Sequence, residues 1–128
     1  HPVDRRQRQM CIRDRYKLHI WKSAIENGFP TRDEETYEFT KKPTFSDMYP
    51  LLNCDMIEIL HGYDKTISNR TFDIYCDEES KMKSSFMKND RATDAWYRWQ
   101  KRTGRTCVPG DFIAGNVAVI EKVKDEAA

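Results

Sequence analysis

The sequence predicts a small α+β domain: a mainly antiparallel sheet of about five strands, one principal helix over residues 91–103 and a short helix near 45–52. Two stretches of period two and one of period 3.6 carry that expectation. In Met56-Ile57-Glu58-Ile59-Leu60 the alternation sets Ile57 and Ile59 on one face. In Phe72-Asp73-Ile74-Tyr75-Cys76 it sets Phe72, Ile74 and Cys76 on one face, with Asp73 and Tyr75 on the other. Joined by the polar stretch 62–70, these two read as a hairpin that organises the fold and ends in the acidic corner Asp77-Glu78-Glu79. The third stretch spaces Ala92, Ala95, Trp96 and Trp99 at i, i+3, i+4 and i+7, the apolar stripe of a helix.

Taken in order, Tyr16 to Trp21 reads as a first strand, with Leu18 and Ile20 on one side and His19 and Trp21 on the other. Asn27-Gly28 and Pro30 mark a turn, and Thr36 to Thr40 alternates again through Tyr37 and Phe39. These strands make a hairpin with a long connection. Thr44 caps a short helix bearing Phe45, Met48, Leu51 and Leu52, which Pro50 is expected to limit to one or two turns or break near Tyr49. Ser80 to Lys88 reads as a surface loop anchored by Met82, Phe86 and Met87. Asn89 or Asp90 caps the principal helix, Lys101 and Arg102 sit in its last turn, and Gly104 suits its left-handed end. Val108 to Asp111 is a Pro-Gly turn, and Val117-Ala118-Val119-Ile120, apolar on both faces, is a covered central strand. Glu121 to Ala128 reads as a charged, frayed end.

A chain of 128 residues with three Trp, six Tyr and six Phe is long and aromatic enough for one modest core. No apolar run reaches the ~18 residues of a membrane helix, and the expected setting is the cytoplasm. Arg5 to Arg15 reads as translated sequencing adapter of metagenomic origin. Residues 1–15 are therefore expected to be non-native and disordered, with the domain spanning 16–128. That segment holds five of the 22 basic and two of the 21 acidic residues, leaving 17 against 19, a net charge of −2 rather than +1. Nucleic-acid binding gains no support from such a balance.

Three constellations could carry chemistry. Asp77 and Glu79, two apart on a strand, would share a face and could hold a divalent cation for hydrolysis; a solvated strand end is the plainer alternative. Cys54, Cys76, Cys107 and His61 have the types but not the paired spacing of a zinc site, so no metal or other cofactor is expected. On the helix, Arg91, Arg98 and Arg102 form a stripe beside Trp96 and Trp99, extended by Lys101 and Arg105. Guanidinium groups grip phosphates and carboxylates, so this stripe, with Asn89 at the helix start, is the ligand-binding candidate. The alternative is a solvated face whose arginines pair with Asp94 or the acidic corner.

Ile57-Glu58-Ile59, Asp77-Glu78-Glu79, Asn89 followed by Arg91-Ala92, and Gly115-Asn116 before the closing strand together form a recognisable order. Over about two thirds of its length the chain resembles a phage- and mobile-element-associated family, domain of unknown function three-eight-four-six. It departs from that pattern at Asn53-Cys54, where Gly-Gly is common, and at Ser80, where Gly is usual. The resemblance implies a phage or mobile-element accessory protein of an infected bacterial cell and brings no activity. The leading expectation is a non-enzymatic module binding a host protein or an anionic nucleotide or nucleic-acid ligand. A small metal-dependent hydrolase or nuclease using Asp77 and Glu79 is the alternative.

Overall fold

The computed structural model describes residues 14–105 and 109–124. Its elements are β1 (Asp14–Trp21), β2 (Ala24–Glu26), β3 (Phe29–Thr31), β4 (Glu34–Phe39), α1 (Phe45–Leu52), β5 (Ile57–Gly62), β6 (Phe72–Asp77), a 3₁₀ turn (Ser80–Met82), α2 (Asp90–Arg102) and β7 (Val117–Lys124). Five strands form one antiparallel sheet in the order β4-β1-β7-β6-β5, and β2 and β3 form a separate small hairpin. The predicted α+β class is the class observed.

The two sheet faces carry different cores. On one, Trp21, Phe72, Ile74, Cys76, Val117 and Val119 pack against Ala92 and Ala95 of α2. On the other, Leu18, Ile20, Tyr75 and Ala118 pack against Met48 and Leu52 of α1. The alternation expected for residues 16–21 and 72–76 is therefore realised side chain by side chain. Trp96 is partly buried against the first core.

Several expectations shift. The β5–β6 hairpin exists, but it sits at one side of the sheet with β5 as the edge; β7 is the centre, bonded to both β1 and β6. Apolar residues on both faces of β7 are what a strand covered by two helices requires. This strand continues through Glu121 to Lys124, where a frayed end was expected, because β1 begins at Asp14 and pairs with Lys124. Residues 5–13 and 125–128, together with Cys107 and Val108, lie outside the described residues.

α1 runs through Pro50 for eight residues, about two turns, so the expected short helix is realised without a break near Tyr49. Loss of one helical hydrogen bond at proline costs about 3 kcal/mol, and full burial of Met48 and Leu52, each worth about 1.5–3 kcal/mol, offsets it. The Asp47 carboxylate also accepts from the Thr44 amide at 2.8 Å, fastening the first turn. Asn53 ends the helix with φ of 53°, a left-handed conformation that Asn tolerates better than most residues. Met82, expected to anchor its loop, is 83% exposed, while Phe86 does pack inward, against the backbone of Gly115.

Candidate functional site

The site begins with α2, whose length and placement follow from a polar knot at its start. Asn89 is 2% exposed. Its Oδ1 accepts the Ala92 amide at 3.1 Å, while Nδ2 donates to the carbonyls of Trp21 at 3.0 Å and Gly115 at 2.8 Å. Beside it, Ser23 N donates to Asn116 Oδ1 at 2.9 Å and Ser23 Oγ donates to the Lys88 carbonyl at 2.7 Å. The end of β1, the loop before α2 and the turn before β7 are thus tied at one point. Asn89 was expected to contact a ligand, and this is corrected: both its donors are spent inside the fold.

Arg91 is also committed to the fold. Its guanidinium stacks on the Trp21 ring at 4.1 Å, pairs with Glu34 Oε1, donates to Thr66 Oγ1 at 3.2 Å and lies 3.7 Å from Asp64 Oδ2. Glu34 in turn reaches His19 Nδ1 at 2.8 Å, and Glu121 Oε1 lies 2.8 Å from His19 Nε2. A chain of hydrogen-bonded polar side chains therefore runs from β7 across β1 and β4 to α2. Its members His19, Glu34, Asp64 and Glu121 were missed in the sequence. The available signal was a polar residue, His19, on the face that Trp21 buries. Arg91 pairs with Glu34 and Asp64, and Arg98 with Asp64, rather than with Asp94 or the acidic corner.

Burial disfavours ionised Glu34 and Asp64, yet their partners outweigh it: His19, Arg91 and Thr36 hold Glu34 below the ordinary carboxyl range, and Thr66, Arg91 and Arg98 do so for Asp64. A depressed native pKa supplies stability above the unfolded value and loses it as pH falls through the native one. The contribution of these two carboxylates should therefore be fully present above about pH 5 and be lost below about pH 4. Urea midpoints measured across that window should fall less steeply for Glu34→Gln than for the unsubstituted chain; parallel slopes would exclude Glu34 from the acid response.

Arg98 and Arg102 differ from Arg91. Arg98 Nε donates to the Tyr63 carbonyl at 2.8 Å and its Nη2 stands 3.6 Å from Asp64 Oδ2, but the side chain stays 46% exposed. Arg102 stacks on the Tyr63 ring at 4.0 Å, and Arg105 stacks on Trp99 at 5.0 Å, with His61 against that same indole at 5.0 Å. Among the described residues neither Arg102 nor Arg105 is paired with a carboxylate. Stacking uses the flat face of a guanidinium and leaves its in-plane N–H groups for an acceptor.

The acidic corner is built differently from its expected form. Asp77 is 2% exposed, with Oδ1 accepting the Glu79 amide at 2.9 Å and Oδ2 lying 2.6 Å from Lys83 Nζ. Strand β6 ends at Asp77, so Glu79 lies beyond the pleat, exposed, while Asp77 is buried against Lys83. Among the described residues no group of three or more His, Cys, Asp or Glu is placed to hold a metal ion. Cys54 and Cys76 are free thiols, and burial pushes both upward, opposite to the shift a nucleophilic thiolate needs. No helix among the described residues is long and apolar enough to cross a membrane. Comparison with protein-family models, with curated proteins and with solved structures finds no match.

Proposed function

We propose that this domain is a non-enzymatic binding module whose contact surface is the C-terminal half of α2. It would engage an anionic partner, either an acidic patch on a host protein or a nucleotide or nucleic acid. The observation that carries this reading is the pair of exposed guanidinium groups, Arg102 on Tyr63 and Arg105 on Trp99, held by aromatic faces and unpaired with carboxylates. Such groups are pre-oriented and give up little desolvation energy when an oxyanion arrives. Arg98, half committed to Asp64, and Lys101 widen the same surface. The setting in a phage or related mobile element, in the cytoplasm of its bacterial host, rests on the resemblance in sequence.

The test is fluorescence anisotropy with two labelled probes, a single-stranded oligonucleotide and a poly-glutamate peptide, at low and high salt. At least one should bind with salt-dependent affinity, and Arg102→Glu should weaken it about tenfold or more, with Arg98→Glu close behind. Equal binding by all three proteins would end this reading. Mass spectrometry of the protein recovered from infected cells would then name the natural partner.

A further inference from the structure

A second surface, opposite in sign to the arginine surface and independent of it, lies on the other side of α2. A cleft of about 290 Å³ opens between α2, the edge strand β5 and the loops on either side of residues 80 and 112. Its floor is apolar and aromatic, made by Leu60, Trp96, Phe112 and Ile113, and the 83% exposed Met82 stands at its mouth. An exposed, flexible thioether beside aromatic rings is a common element of peptide-docking surfaces.

The lining charges are unevenly matched. Asp77 is neutralised by Lys83, and Asp111 by Lys81 at 2.6 Å. Glu58, Glu78 and Glu79 are exposed and unpaired among the described residues. Three carboxylates therefore rim an apolar floor with no cation of their own. Lys81, itself a lining residue, leans on the Phe112 ring at 4.6 Å, covering part of the floor. Apolar floor and acidic rim together describe the complement of a chain segment in which apolar and cationic side chains alternate.

We propose that this cleft docks a basic, amphipathic segment of a partner protein, its apolar side chains on Trp96 and Phe112 and its Lys or Arg side chains against Glu58, Glu78 and Glu79. Lys81 competes with that segment for the face of Phe112.

The probe is a short synthetic peptide alternating Lys and Leu, followed by anisotropy and by the indole N–H resonance of Trp96. Saturable binding that moves the Trp96 resonance is expected. The double reversal Glu58→Lys with Glu79→Lys should weaken it about tenfold or more, and Lys81→Ala should strengthen it severalfold. Glu38→Lys, an exposed reversal on β4, should leave it unchanged. An equal loss with Glu38→Lys would reduce the effect to overall charge and overturn the proposal, as would an unmoved Trp96 resonance. Self-association in sedimentation equilibrium that disappears in the Glu58/Glu79 variant would assign the cleft to a second copy of the chain, and would overturn it too.

Discussion

Replacing Asn89 by alanine should destabilise the domain by about 3–5 kcal/mol. Loss of a helix cap accounts for about 1 kcal/mol, and each of the two hydrogen bonds lost at buried carbonyls adds about 1–2 kcal/mol. Those carbonyls belong to Trp21 and Gly115, so the damage reaches β1 and the approach to β7 as well as α2. Asn89→Asp separates the two roles. It keeps the oxygen that accepts from Ala92 but has no amide to donate, so a residue that only capped the helix would tolerate it. Urea denaturation should show Asn89→Asp nearly as unstable as Asn89→Ala. A stable Asn89→Asp protein would return Asn89 to the list of ligand-contact candidates.

The second large effect is expected at Gly115, where φ is +82° and an added Cβ would stand 2.5 Å from the Phe86 ring. Left-handed backbone costs an alanine about 1 kcal/mol, and forcing the ring aside adds about 1–3 kcal/mol. Gly115→Ala should therefore lose about 2–4 kcal/mol. Gly28, with φ of +81° and nothing within 4 Å, supplies the control: Gly28→Ala carries the backbone strain without the clash. If thermal melts place the two variants together, Phe86 yields freely and the close approach at Gly115 has no structural weight.

These two positions show what could be read from the sequence and what could not. Asn89 and Gly115-Asn116 stood out as landmarks, yet the reason for them lies in contacts between residues 68 and 26 positions apart. Period and capping chemistry are local, so the strands at residues 16–21 and 72–76 and the boundaries of α2 were legible from spacing. Which strand lies at the centre depends on long-range pairing, and there the conspicuous hairpin misled; the doubly apolar β7 was the better guide. The arginine stripe was legible as a row on a helix. Its division into a structural Arg91 and an outward Arg102 was not, because Glu34 and Asp64 come from a strand and a loop remote in sequence. Pro50 leaves a helix of about two turns, one of its two expected outcomes, and burial on both sides of it offsets its local cost.

The central position of β7 also sets an order of assembly. Before Val117 is available the chain can form two local units, β1 with β4 and β5 with β6, each presenting an unpaired strand edge. Neither unit is bonded to the other; β7 enters between β1 and β6 and supplies both missing ladders at once. Such late, non-local closure is slow compared with hairpin formation and leaves sticky edges open while it is pending. On the ribosome, the nascent chain would pass through a stage in which two half-sheets await a zipper that has not yet emerged from the tunnel.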